Sequence, residues 1–289
     1  GQNYYVKKST ARSKTNQRII AVFQGTHNIQ YQEQRVRSEL RNNGFMAKYT
    51  FEDIVAESAL MKSLMDKAVL YASTNAGILI NGNSGTGKEL LAQSIHNASP
   101  RHNQPFVAVN CAAIPASLLE SELFGYEEGA FSGAKKGGKR GLFELAHKGT
   151  IFLDEINSMP IELQSVLLRT IQEKEIRRVG AQKNIYVDIR IISACHKNME
   201  ELIADGKFRA DLYYRLNTLK LTMPDLETRK EDIPPLCRYF LKRYSAKYSV
   251  PIPALSPEDS EILLKRSWPG NVRELENTMH RYVILSSLQ

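Results

Sequence analysis

The sequence has few cysteines and no long apolar run. Its 289 residues include three cysteines, Cys111, Cys195 and Cys237. They are widely spaced, odd in number and outside any metal-ligand pattern, which argues against a disulfide framework and against a cysteine metal site. There is no run of eighteen apolar residues and no signal-peptide pattern, which argues against a membrane span and against secretion. These absences predict a globular, cytoplasmic protein.

Acidic residues are scarce near the amino end. The formal net charge is +8, and residues 1–50 hold nine Lys and Arg against two Glu, so the rest of the chain carries only +1. A basic chain can indicate a nucleic-acid surface. An excess of positive charge that is confined to one polar segment instead favours a solvated linker.

The first 49 residues lack the pattern of an independent core. Residues 18–23 (RIIAVF) predict one strand, residues 30–42 are compatible with a helix, and Asn43-Gly44 supplies a helix stop, because glycine tolerates the left-handed conformation. One strand and one helix cannot bury a core, and the chain opens at Gly1 without an initiator methionine. We therefore expect residues 1–49 to be the remnant of an upstream domain with its linker.

From Thr50 onward, helical and strand patterns alternate. Short apolar runs at 77–80, 106–109, 150–153 and 188–194 are typical of strands buried on both faces. Strands separated by helices predict an α/β fold with a parallel sheet covered by helices. An amphipathic helix precedes them, with apolar residues at three- and four-residue steps: Leu60, Met61, Leu64, Met65, Ala68 and Val69.

After Pro224 the strand patterns stop. Helical patterns follow at about 232–248, 257–266 and 271–287, and Ser256-Pro257 suits a helix start, with serine as cap and proline in the first turn. We expect an α/β domain over 50–224 followed by a small all-helical domain over 225–289.

The strongest local motif is GNSGTGK, Gly82 to Lys88, between the strand GILIN and the helix ELLAQSIHNA. A glycine-rich loop at this place lets backbone N–H groups surround phosphate oxygens, and Lys88 reaches the terminal phosphates. A flexible glycine turn is the alternative. The motif usually ends in Ser or Thr, a Mg²⁺ ligand, whereas Glu89 stands here, so the metal must depend on other groups or on water.

A second motif, TIFLDE, places Asp154 and Glu155 at the end of an apolar strand, where open α/β sheets bind ligands. Asp154 would hold Mg²⁺ and Glu155 would orient and deprotonate the attacking water. The alternative is an ordinary acidic strand end that caps the following turn. A third motif, GAFSGA, surrounds Phe131 with small residues after the helix SLLESELFGYEE. Its chemistry alone leaves open whether Phe131 binds a partner or folds back onto the domain.

Five stretches in this order carry a family resemblance. GNSGTGKELLAQSIHNASPR, VNCAAIPASLLESELFGYEEGAFSGA, GTIFLDEI, FRADLYYRLN and WPGNVRELEN closely resemble the AAA+ domain of sigma-54-dependent bacterial transcription activators. The resemblance covers residues 50–289. GAKKGGKRGLFELAH and His196 further resemble the propionate-regulator subgroup, and residues 18–42 resemble the last strand and signalling helix of a PAS-type sensor.

The resemblance implies an ATPase with a lid domain and assigns its catalytic groups. Asp154 and Glu155 match the Walker B pair, and Asn110 matches the residue that holds the glutamate until the nucleotide state changes. Arg209 and Arg215 match the arginine fingers that reach a neighbouring subunit's ATP, although such arginines can instead pair with local carboxylates such as Asp211. Phe131 and its neighbours match the loop that contacts sigma-54: Gly129, Ala130, Phe131, Ser132, Gly133 and Ala134.

The resemblance also implies the nucleotide-binding set. Arg273 matches a second sensor, and here the local pattern agrees, because Asn271 can cap the last helix and Glu274 can complete a capping box. Ile54 and Val55 match the apolar segment beside the adenine ring. The set consists of Gly82, Asn83, Ser84, Gly85, Thr86, Gly87, Lys88, Glu89, Leu90, Ile54, Val55, His196 and Arg273.

Two positions depart from the family pattern. Ser132 stands where threonine is usual and keeps the hydroxyl. Cys195-His196 stands where Thr-Asn is usual at the first sensor. A histidine there can hydrogen-bond a phosphate or a water, with a charge that varies near neutral pH, or it can be a buried core histidine.

The function implied is ATP-driven remodelling of the RNA polymerase–sigma-54 complex. ATP and Mg²⁺ would bind between adjacent subunits of a ring, expected to be a hexamer, and the Phe131–Ser132 loop would contact the sigma factor. No helix-turn-helix is evident before Gln289, so enhancer DNA would be recognised only by a further domain. The alternatives are another AAA+ remodelling ATPase, or a nucleotide-gated scaffold without turnover.

Overall fold

The described part of the amino-terminal unit is a pair of antiparallel strands. The computed structural model describes residues 4–13, 16–25 and 44–286, and the chain divides into one unit at 1–46 and another at 47–289. In the first unit β1 (Tyr4–Ser13) pairs antiparallel with β2 (Asn16–Gly25). The strand predicted at 18–23 is confirmed within β2, whereas β1 was missed because its sequence is polar and basic. The helix compatible with 30–42 lies outside the described residues.

The second unit contains nine further strands among its described residues. A five-stranded parallel sheet is built from β3, β4, β7, β10 and β11, and two short antiparallel pairs are added by β5 with β6 and β8 with β9. The strands in chain order are β3 (Ile78–Asn81), β4 (Phe106–Asn110), β5 (Gly125–Tyr126), β6 (Lys139–Arg140), β7 (Thr150–Asp154), β8 (Glu175–Ile176), β9 (Ile185–Tyr186), β10 (Arg190–Cys195) and β11 (Leu219–Thr222).

Helices cover this sheet and continue beyond it. The described α-helices are α1 (Ala59–Ala72), α2 (Lys88–Asn97), α3 (Ala116–Phe124), α4 (Leu142–Leu145), α5 (Ile161–Glu173), α6 (Met199–Ala204), α7 (Ala210–Leu216), α8 (Ile233–Tyr248), α9 (Pro257–Lys265) and α10 (Asn271–Ser286). No helix in the described ranges has the length and apolar character needed to cross a membrane.

The parallel sheet has the strand order β11-β3-β10-β7-β4. Its three central strands are almost wholly buried, as expected of strands covered on both faces. The apolar runs that predicted β3, β4, β7 and β10 are therefore confirmed. The edge strand β11 was missed because its sequence, LKLT, alternates apolar and polar residues and has only Leu221 buried.

The helix α1 packs against this sheet along a narrower stripe than predicted. Met61, Leu64 and Ala68 are buried in the main core, whereas Leu60 and Val69 are each 53% exposed. The amino end of α1 is capped by Ser58, whose Oγ accepts from the Met61 N–H at 3.3 Å, which satisfies one of the free donors of the first turn.

A second apolar core lies among α8, α9 and α10. It contains Leu236, Phe240, Leu275 and the single tryptophan, Trp268, whose indole N–H donates to the Leu263 carbonyl at 3.0 Å. Trp268 is thus a core residue of these helices. The helix start predicted at 256–257 is confirmed, because Ser256 Oγ accepts from the N–H of the third helical residue at 3.0 Å.

Candidate functional site

The carboxyl ends of four parallel strands meet at one edge of the sheet. The register pairs Asn110 with Asp154 and Asn81 with Cys195, so the last residues of β4, β7, β3 and β10 form a row. Ligands of open α/β sheets bind outside this edge. The phosphate loop, Gly82–Lys88, leaves β3 at the same place.

The backbone of the phosphate loop requires glycine. Gly85 has φ +79° and Gly87 has φ +104°, which only glycine adopts without strain. A Cβ at Gly85 would lie 2.3 Å from the carbonyl oxygen of Gly270, so the loop directly contacts the segment before α10. Lys88 Nζ donates to the Gly82 carbonyl at 2.7 Å. An ammonium group and a helix amino end therefore meet at the loop, which favours anions.

Asp154 ends β7 with a carboxylate that forms no ion pair with a described basic side chain. Its Oδ1 accepts from the Glu155 N–H at 3.0 Å, and its Oδ2 lies 3.5 Å from the amide nitrogen of Asn110. Burial, and then the adjacent Glu155 carboxylate, raise the pKa of Asp154, while the ammonium of Lys88 opposes the rise. A carboxylate in such surroundings is stabilised by a cation.

Glu155 is held by His196 rather than by Asn110. Its backbone is left-handed, with φ +53°, and its Oε2 is hydrogen-bonded to His196 Nδ1. The Asn110–Glu155 contact expected from the resemblance is not found in the described part of the chain. Asn110 Oδ1 instead accepts from the N–H of Ala112 at 2.9 Å, because the side chain closes the turn after β4.

The first-sensor position is polar and partly accessible. The His196 side chain is 35% exposed, so it is not a core histidine. The preceding Cys195 is buried, and burial raises its pKa to about 11, which keeps it a neutral thiol. Its Sγ lies 3.6 Å from Asn81 Oδ1. The only titratable side chain of this dipeptide that can meet a ligand is therefore the imidazole.

The donor set fits Mg²⁺ bound together with phosphate. The described residues contain no group of three or more His, Cys, Asp or Glu that could hold a metal ion. Glu89 is directed along α2, where its Oε1 accepts from Gln93 Nε2 at 3.1 Å. Mg²⁺ in nucleotide sites takes one or two carboxylates, phosphate oxygens and water rather than an all-protein cage. The single carboxylate of Asp154 suits this mode.

The carboxyl-terminal helices meet the phosphate loop through Arg273. Its Nη1 lies 3.1 Å from Ser84 Oγ, and its backbone N–H donates to the Gly85 carbonyl at 3.3 Å. Ile54 packs on the core of the parallel sheet, and Val55 packs on the core of the carboxyl-terminal helices. The predicted adenine-contact segment thus runs between the two cores.

The two candidate finger arginines are both exposed, but only one has a local partner. Arg209 forms a bidentate ion pair with Asp211, at 2.7 and 3.0 Å, as in the alternative interpretation of this motif. For Arg215 no side-chain hydrogen bond or ion pair appears among the described residues. The Arg215 carbonyl oxygen would lie 3.8 Å from a Cβ at Gly77, which precedes β3 at the edge opposite the phosphate loop.

The predicted partner loop, residues 129–134, lies between the paired strands β5 and β6. Phe131 is 43% exposed, and its ring lies edge-on to that of Tyr126 with centroids 4.9 Å apart. Gly129 and Gly133 have positive φ, and a Cβ at either would meet nothing within 4 Å. The aromatic side chain is therefore presented at an open surface rather than buried in the domain.

Two groups of polar contacts at the site have no signature in the sequence. Arg178 bonds to Glu127 and Glu144 and joins the base of the partner loop to the segment after β8. Asn271 was expected to cap α10, but it is the first residue of that helix, and its side chain bonds to Ser84 and Leu226. Local pattern could not reveal these contacts, since most join residues far apart in sequence.

The strand order and the contact between the phosphate loop and a helical lid place the chain in the AAA+ class of P-loop proteins. Residues 227–289 match the AAA+ ATPase lid domain model. Residues 54–222 match the model of the Sigma-54 interaction domain. The chain belongs to this family, which confirms the family resemblance, while the propionate-regulator subgroup stays a prediction.

Individual relatives agree with this assignment. The chain is 53% identical over 237 residues to a signal-transduction and transcriptional-control protein of Clostridium beijerinckii, covering 82% of this chain and 38% of the relative. It is 50% identical over 232 residues to the putative uric acid sigma-54-dependent transcriptional regulator UacR of Escherichia coli, covering 80% and 39%. NtrX from Brucella abortus in complex with ATP is 40% identical with a TM-score of 0.76, covering 81% of this chain and 51% of that one. The chain thus spans only about 40 to 50% of the length of these proteins, 38% and 39% of the two regulators and 51% of NtrX.

Proposed function

We propose that this chain hydrolyses ATP and uses the energy to remodel the RNA polymerase–sigma-54 closed complex. The nucleotide phosphates would bind the N–H groups of the phosphate loop and Lys88, with Arg273 reaching the γ-phosphate. Glu155 would accept a proton from the attacking water. Asp154 would hold Mg²⁺, which when bound neutralises phosphate charge.

The site would be completed by a second copy of the chain. The observation that supports this is the position of Arg215. Its backbone lies beside Gly77, where the amino ends of the parallel strands lie. The phosphate loop leaves the opposite edge, about 13 Å away along the four residues of β3. An arginine placed there suits a neighbouring subunit's ATP better than its own. A closed ring, which we propose to be a hexamer, satisfies this requirement for every copy. Arg209 would act beside Arg215 after exchanging Asp211 for phosphate.

The loop of residues 129–134 would bind sigma-54. Its exposed Phe131 and adjacent Ser132 offer an aromatic anchor and a hydroxyl, which suit a protein contact. Differences in nucleotide affinity between conformations would drive the loop, because a ligand shifts an equilibrium only through such differences. In this proposal residues 50–224 form the ATPase domain, residues 225–289 form the lid, and residues 1–49 are part of a sensor domain together with its linker. Enhancer DNA would be recognised by a separate domain.

The test is phosphate release measured against protein concentration at saturating ATP. A site shared between copies predicts a specific activity that rises with concentration as the ring assembles. A specific activity independent of concentration would show a self-sufficient monomer. No turnover at any concentration, with ATP bound, would instead favour a nucleotide-gated scaffold.

A further inference from the structure

The carbonyl oxygens at both ends of the phosphate loop are bonded within the loop and its helix. Lys88 Nζ donates to the carbonyls of Gly82 at 2.7 Å and Asn83 at 3.1 Å. At the other end, the N–H of Leu91 donates to the Gly87 carbonyl at 3.1 Å, as the first bond of α2. The three carbonyls between them have no such local partner.

Two of these three carbonyls are bonded by the first turn of α10. Asn271 Nδ2 donates to the Ser84 carbonyl at 3.1 Å, and the backbone N–H of Arg273 donates to the Gly85 carbonyl at 3.3 Å. Asn271 Oδ1 also accepts from the N–H of Leu226 at 2.8 Å. Both polar atoms of the buried Asn271 amide are therefore hydrogen-bonded, Nδ2 to the phosphate loop and Oδ1 to the segment after β11.

The third carbonyl is bonded by a buried arginine. Arg229 Nη2 donates to the Thr86 carbonyl at 3.1 Å. The Arg229 side chain is 2% exposed, and its nearest carboxylate oxygen is 3.9 Å away, on Asp232. Burying a guanidinium is unfavourable unless its donors are used, and its Nε is left without a partner. The hydrogen bond to the loop is thus a principal contact of this buried cation.

These contacts fix the direction of the loop N–H groups. In a trans peptide the carbonyl of one residue and the N–H of the next are coplanar and point in opposite directions. Holding the carbonyls of Ser84 and Thr86 outward therefore directs the N–H groups of Gly85 and Gly87 inward. Within the described residues, neither N–H group donates a hydrogen bond to the protein.

We propose that Asn271 and Arg229 are positioning residues of the nucleotide site. By holding the carbonyls of Ser84 and Thr86, they orient the loop N–H groups toward the nucleotide phosphates. This inference rests on the proposed nucleotide site and adds that the lid controls the phosphate-binding geometry itself. By reciprocity, phosphate binding stabilises the lid position that provides these contacts.

The test compares ADP with AMP, because the phosphate that distinguishes them is the one the loop is expected to bind. Asn271→Asp keeps the acceptor for the Leu226 N–H and removes the donor to Ser84. Asn271→Ala removes the donor without adding charge. The matched control is Asn277→Asp, an exposed position on the same helix. Dissociation constants are measured by calorimetry for all four proteins, with melting temperatures alongside.

In both Asn271 variants we expect the dissociation constant of ADP to rise about tenfold, the effect of roughly one hydrogen bond. The constant of AMP should change less than twofold, and the control should match wild type for both ligands. Equal changes for ADP and AMP, or none, would overturn the role of Asn271 and leave the nucleotide site intact. If wild type itself binds ADP no more tightly than AMP, the proposed nucleotide site fails. If Asn271→Ala does not fold, the ADP and AMP dissociation constants of Asn271→Asp alone test the role of Asn271.

Discussion

The carboxylate of Glu155 is hydrogen-bonded to Nδ1 of His196, a residue 41 positions further along the chain. Glu155 follows the last residue of β7 and His196 follows the last residue of β10, which are neighbouring strands. The contact therefore joins the proposed catalytic base to the first-sensor position. The Glu155–His196 contact replaces the Asn110–Glu155 contact that the family resemblance implied.

If Glu155 is the general base, replacing it with glutamine should preserve ATP binding and abolish ATP hydrolysis. We expect Glu155→Gln to lower phosphate release at least 100-fold, in line with the loss of a general base, and to bind ATP within about twofold of wild type. Steady-state turnover and nucleotide binding, measured on one preparation, check this. Near-normal turnover in the variant would show that Glu155 is not the base.

His196 should act on the rate through the orientation of Glu155. We expect His196→Ala to lower kcat about tenfold, as loss of a group that orients a catalytic residue does, with KM for ATP nearly unchanged. His196→Asn restores a hydrogen-bond donor and should recover part of kcat. An alanine variant with wild-type kcat would contradict this role, and so would a rise in KM alone.

The partner loop should be separable from hydrolysis. Phe131 packs on Tyr126, and no described contact joins its side chain to the phosphate loop, so Phe131→Ala should keep ATP turnover. Loss of an exposed aromatic anchor should weaken sigma-54 binding at least tenfold. Ser132→Thr is the control and should bind sigma-54 like wild type. If Phe131→Ala loses hydrolysis but still binds sigma-54, another kind of AAA+ machine is indicated.

The free energy of unfolding should decrease when the pH is lowered from neutral, because of His96. This histidine is buried, its Nδ1 lies 2.9 Å from Thr150 Oγ1, and burial lowers its pKa to about 4. Because the folded pKa lies below the unfolded value near 6.5, the unfolded chain binds more protons between pH 6.5 and 4. The free energy of unfolding should therefore fall as pH falls through that window, by roughly 2 kcal/mol from pH 7 to pH 5.

Denaturant unfolding at pH 7 and pH 5 tests this, with His96→Gln as the comparison. The variant should lose less stability on acidification, because glutamine does not titrate. It should also be less stable than wild type at pH 7. An equal loss in both proteins would show that other groups cause the acid dependence.

The parts of the fold that could be predicted are those with a local signature. The phosphate loop and Asp154 are recognisable because glycines, a lysine and an apolar strand lie within a few residues of one another. The buried strands β3, β7 and β10 are continuous apolar runs. The pairs β5–β6 and β8–β9 have two residues in each strand, which is too short for a periodic pattern.

Long-range polar contacts could not be predicted. Asn271 stands where a helix cap is expected, and only the folded chain shows its amide on Ser84, 187 residues away. Arg229 lies in a charged run, TRKED, that is typical of a solvated surface, yet it is buried against the phosphate loop. The position of each side chain depends on how the lid packs against the phosphate loop.

The most direct test of a site shared between two copies is to mix two inactive variants. Lys88→Ala lacks the phosphate contact but keeps Arg215, whereas Arg215→Ala keeps the phosphate loop but lacks the finger. Each alone should hydrolyse ATP at no more than a few per cent of the wild-type rate, since an arginine finger contributes about 10³–10⁵ in rate. Mixed at concentrations where wild type is active, they should recover substantial turnover, because an intact loop then meets an intact Arg215. A mixture no more active than the sum of its parts would contradict the account.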